Sequence, residues 1–100
     1  MAFFHCPDAN DPVRPLDMIR YHIALAVQIG AAAYNYGDHR GCYEVYACTA
    51  RLLLQAVEGA DDEKKLLRQA LQRCATQLDV TQQSWTMRHA FDALLAKENN

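Results

Sequence analysis

Apolar residues recur at steps of three and four in four separate stretches of this chain, and no stretch alternates with period two for long enough to build a strand. That periodicity restricts the chain to helices. Breakers divide the stretches: Asn35 with Gly37, then Gly59, then the polar run from Asp79 to Ser84. They predict helices over about 15–36, 39–58, 61–78 and 83–97, after an irregular arm over 1–14 punctuated by Pro7, Asn10, Asp11 and Pro12. Connections of roughly two to six residues cannot carry the chain back to the far end of a helix, so sequential helices must run antiparallel. With 100 residues there is material for one core, and the expected fold is all-α: an antiparallel, up-and-down four-helix bundle in a single domain.

Pro15 suits the first position of helix one, where its missing amide would have had no partner. Leu16, Ile19, Ile23, Ala26 or Val27, Gly30 and Ala33 follow at helical spacing, and beyond Ile23 the helix is apolar almost all round. Such a helix is expected at the centre of a bundle, covered by more than one neighbour. Gly37 should end it in the left-handed conformation, and Asp38 should cap helix two. Tyr43, Tyr46, Ala50, Leu53, Leu54 and Val57 form the apolar side of helix two, opposite Arg40, Glu44, Arg51, Gln55 and Glu58. Helix three begins under Asp61, Asp62 and Glu63, whose charge favours unpaired amides, and is expected to bury Leu67, Leu71, Cys74 and Leu78. Helix four, capped by Thr81 or Ser84, is expected to be anchored by a packed Trp85 alongside Met87, Phe91, Leu94 and Leu95.

Charge narrows the function classes. Ten basic and twelve acidic side chains give a formal net charge of -2, and the loose basic group Lys64, Lys65, Arg68, Arg73 and Arg88 lies in a half of the chain with as many acidic residues. A nucleic-acid partner is therefore not expected. The apolar run from Ile23 to Ala33 is about half the length that spans a bilayer, and Gln28 interrupts it, so no membrane partner is expected either. Residues 1–7 do not read as a signal peptide. Cys6, Cys42, Cys48 and Cys74 form no CxxC pair, and Cys42 and Cys48 point about 120° apart on one helix. Free thiols and a cytoplasmic location are the expectation.

The segment from Tyr34 to Tyr46 concentrates four tyrosines, a histidine, an arginine, an aspartate and a thiol around one helix turn. Its surface residues Tyr36, Asp38, His39 and Arg40 are the candidate interaction site, because tyrosine and arginine bring large interface energies at modest ordering cost. Metal binding is the alternative: His39 and Cys42, three apart, could join His5 and Cys6 in a tetrahedral set. Cys42 with His39 is also the one spacing that suits a thiol nucleophile, although a small buried gap-filler explains Cys42 as well. His22 and His89, on different helices, are the only haem-ligand pair to consider. No HExxH motif and no glycine-rich phosphate loop occur, and no cofactor is expected.

Ile29-Gly30, Gly37, Cys42, Tyr46 and Thr49 are spaced as in one tetratricopeptide helical hairpin, and the first half of the chain resembles that unit. Ala33 and Thr49 depart from its usual tyrosine and alanine, and 61–97 does not repeat the pattern. The resemblance implies a close-packed antiparallel hairpin and leans toward protein recognition. The resulting expectation is a small non-enzymatic helical protein, an interaction or regulatory module with a protein partner or a second copy of itself; a metal- or small-ligand-binding bundle is the alternative.

Overall fold

A computed structural model of the chain describes residues 14–96. Four helices make up most of that span: α1 Pro15–Asn35, α2 His39–Ala56, α3 Asp61–Ala75 and α4 Val80–Ala96, with no strand among the described residues. The irregular arm lies outside them. Periodicity therefore identified all four helices; three boundaries moved by two or three residues.

The first corner is built as its residues dictate. Gly37 adopts φ +89°, its amide donates to the Tyr34 carbonyl and the Asp38 amide donates to that of Ala33, so two bonds close the end of α1. Asp38 then turns to α2, where its Oδ1 accepts from the Gly41 amide at 2.9 Å. A Cβ at Gly37 would touch nothing, which leaves backbone strain as the whole cost of a substitution. Gly37→Val should lower the unfolding free energy by about 1–2 kcal/mol in a urea titration, because a β-branched residue is strained at positive φ. An unchanged midpoint would place the turn elsewhere.

The core is built on α2 and α4. These two run in the same direction and pack on each other, with α1 against one side of the pair and α3 against the other. Ile19, Ile23 and Ala26 of α1, Tyr46, Ala50 and Leu53 of α2, Leu67 and Cys74 of α3, and Met87, Phe91 and Leu94 of α4 meet there. The Tyr46 and Phe91 rings lie edge to face, 5.3 Å apart, and Gly30 leaves the room that the Tyr46 ring occupies. Close approach of α1 and α2 at that point matches the hairpin that the spacing implied.

Four expectations are corrected. Helix α1 is not central: α2 and α4 are in contact across the middle, and α1 is left at the edge with part of its apolar surface uncovered. Leu78 is fully exposed, because α3 stops at Ala75 and the Thr76–Asp79 connection carries it away from the core. The cap of α4 is Asp79, whose Oδ1 accepts from the Thr81 amide at 3.0 Å; neither Thr81 nor Ser84 serves. Ser84, Met87, Phe91 and Leu94 point inward, and Trp85, about 100° round the helix from Ser84, is 46% exposed. Trp85 is a wall of the bundle's end and not its anchor.

Candidate functional site

Two concave regions lie on opposite sides of α1. The first is at the corner end, where the α1–α2 turn meets the start of α4. Ser84 donates to the His39 carbonyl at 3.2 Å, and His39 Nδ1 shares a hydrogen bond with Thr81 Oγ1 at 3.1 Å. The His39 ring stacks on Tyr34 at 4.1 Å, and Tyr34 in turn meets Trp85 edge to face while its hydroxyl accepts from Trp85 Nε1. Behind these rings lies a half-open cavity of about 160 Å³, walled by Tyr34, Tyr46 and Trp85, with Cys42, Ser84 and Arg88 also on its surface. The distinctive segment of the sequence therefore does face a cavity, but with its tyrosines and not with its most exposed residues.

Burial sets the electrostatics of this end. Removal of the Tyr46 hydroxyl from water, reinforced by the neighbouring Cys42 thiol, pushes its pKa up to about 12, against a weaker pull from Arg88. Burial is also the main cause that raises Tyr43 and Cys74. A phenol that stays neutral in the fold but ionises near pH 10 when unfolded contributes stability in full below pH 10, and loses it as the pH climbs toward 12. The loss should reach about 2–3 kcal/mol for Tyr46, and Tyr43 and Cys74 act in the same direction. Unfolding free energies of wild type and Tyr46→Phe between pH 9 and pH 12 test this. The variant should decline less steeply; an identical slope would contradict it.

The candidates from sequence separate into used and unused groups. Asp38 is spent as a cap, His39 is half-buried in the stack just described, and Arg40 reaches Glu44 at 3.8 Å on an open face. Tyr36 stands 92% exposed. Cys42 is buried, whereas His5 and Cys6 lie outside the described residues. Among the described residues no group of three or more histidine, cysteine or acidic side chains could hold a metal ion. Cys42, Cys48 and Cys74 are free thiols, and the Cys74 thiol donates to the Gln83 carbonyl. His22 and His89 are both exposed, the first against Tyr21 and the second against Trp85. No described helix is long and apolar enough to cross a membrane.

The second region was not found from sequence. It is a shallow groove of about 260 Å³ along α1 and α2, bordered by Met18, His22, Leu25 and Ile29 on one helix and by Val45, Thr49 and Leu52 on the other. Leu53 and Val57 form part of its floor. Met18, Leu25, Ile29 and Leu52 are 36%, 36%, 59% and 63% exposed. Its sequence signal is the all-round apolar character of α1, which fits an edge helix with a second apolar face as well as a central helix. No protein-family model matches the chain, and neither the curated proteins nor the solved structures contain a match to it.

Proposed function

We propose that this chain is a non-enzymatic interaction module that works by pairing with a second copy of itself through the α1/α2 groove. The observation that carries the reading is the row Met18, Leu25, Ile29 and Leu52, four large apolar side chains open to water side by side. With Tyr21 beside them, they offer roughly 500 Å² of apolar surface, at the upper end of what a monomer ordinarily leaves uncovered. A second copy is favoured by charge. Among the described residues no aspartate, glutamate, lysine or arginine lines the groove, so two copies meet there without like charges opposed, and nothing in that lining calls for a charged partner. A cytoplasmic setting fits the same reading and is supported by the free thiols of Cys42, Cys48 and Cys74.

Two copies would bury about 1,000 Å², the lower limit of specific interfaces, so the dimer is expected to be reversible, with a Kd of about 10–100 μM. Sedimentation equilibrium of the wild type should give that constant. Ile29→Lys with Leu52→Lys should weaken it at least thirtyfold, about 2 kcal/mol, while changing monomer stability by less than about 0.5 kcal/mol, since both sites are exposed. Tyr36→Ala with Arg40→Ala, at the opposite end of the α1–α2 hairpin from Met18, should leave association unchanged. If the second pair weakens association and the first does not, the contact belongs to the turn and the groove is not the docking surface.

A further inference from the structure

The cavity at the corner end has the makings of a ligand site independent of the groove. Its walls are the rings of Tyr34, Tyr46 and Trp85, and its volume of about 160 Å³ holds one small ring system. Two contacts hold the rings in place: Trp85 Nε1 donates to the Tyr34 hydroxyl, and Tyr46 packs edge to face against Phe91 behind it. A pre-arranged apolar slot of this kind binds with little ordering cost.

Among the described residues one cation, Arg88, borders it. Arg88 Nε donates to Asp92 Oδ1 at 3.0 Å, and Arg88 lines the cavity together with Tyr46. A guanidinium has five N–H donors, and the bond to Asp92 leaves others to serve an anion. Its fork matches the two oxygens of a carboxylate. Asp92, on the solvent side, holds the guanidinium in position while offsetting part of its charge, which limits affinity and does not remove directionality.

We infer that the slot between Tyr34, Tyr46 and Trp85 binds a small planar aromatic carboxylate, its ring among the three side chains and its carboxylate on Arg88. Neither an aliphatic acid nor a neutral ring uses both halves of the site. A monocyclic compound fills the volume and a larger polycycle exceeds it.

Trp85 is the only tryptophan, so its emission reports on the slot directly. Benzoate titrated at pH 7 should give a saturable change with a Kd of about 1 mM or tighter. Acetate and benzyl alcohol, which carry the charge and the ring separately, should each bind at least tenfold more weakly. Arg88→Gln should weaken benzoate at least tenfold and leave benzyl alcohol unaffected. Ala31→Leu, which fills the slot from α1 without touching the Arg88–Asp92 pair, should abolish the response while far-ultraviolet dichroism stays helical; it is the deciding variant if Arg88→Gln does not fold. Benzoate without saturation to about 20 mM, equal binding of benzyl alcohol, or an undiminished response in Ala31→Leu would overturn the inference.

Discussion

Tyr46→Ala is expected to lower the unfolding free energy by about 3–5 kcal/mol, a large part of the 5–15 kcal/mol that a domain of this size commands. Its side chain is the largest of those fully buried among the described residues, and it meets two other helices: Gly30 of α1 accepts the ring and Phe91 of α4 meets it edge to face. Truncation removes apolar burial and leaves a cavity where α1, α2 and α4 meet. Tyr46→Phe separates these contributions, since it keeps the ring and loses only the hydroxyl; about 1 kcal/mol is expected for it. Guanidinium unfolding of both variants measures the difference. A loss below about 1 kcal/mol for Tyr46→Ala would mean that the α2–α4 contact does not depend on this ring.

Gly30→Val should cost about 3 kcal/mol, at the upper end of what overfilling a core does. A Cβ at position 30 would overlap the Tyr46 ring atoms, and Phe91 packs edge to face against that ring and limits its retreat. Gly30→Ala is the sharper probe. In an open helix interior it would stabilise by about 1 kcal/mol through helix propensity alone, so a destabilised Ala variant demonstrates the close approach and a stabilised one refutes it. In the Tyr46→Ala background the same substitution should recover its favourable sign, because the obstacle is gone.

Much of this fold is legible in sequence because its signals are local. The i, i+3, i+4 spacing of Leu67, Ala70 and Cys74, or of Met87, Phe91 and Leu94, depends only on helix geometry, and the Gly37-Asp38 corner only on which residues tolerate positive φ and which cap an amide. What was not legible depends on which helices touch. The pattern of α1 is equally consistent with a central helix and with an edge helix that carries a second apolar face, and the choice rests on the α2–α4 contact, which no local residue encodes. Trp85 misleads for a different reason: its size favours burial, but it lies about 100° round the helix from Ser84 and about 160° from Met87, off the row that Met87, Phe91 and Leu94 define.

The corner site was partly visible. A cluster of aromatic and polar residues from Tyr34 to Tyr46 marks the cavity, yet its other wall comes from Trp85 and Arg88, about 40 residues on, joined only by the folded packing. Asp38 is legible as the cap that it forms with Gly41, whereas the bond of His39 to Thr81 joins residues 42 apart and depends on the fold. Tyr36 was correctly read as a surface residue, since it sits at the cap of α1 beyond the last inward position.

The central claim is that two copies meet face to face along α1 and α2. Isotope-filtered nuclear Overhauser spectroscopy on an equimolar mixture of labelled and unlabelled protein, at a concentration several times the dimer constant, reads this contact without any substitution. Intermolecular cross-peaks are predicted among the methyl groups of Met18, Leu25, Ile29 and Leu52, and none from Leu78, which is exposed on the α3–α4 connection. Absence of intermolecular peaks at millimolar protein, or peaks confined to residues outside the α1/α2 groove, would contradict it.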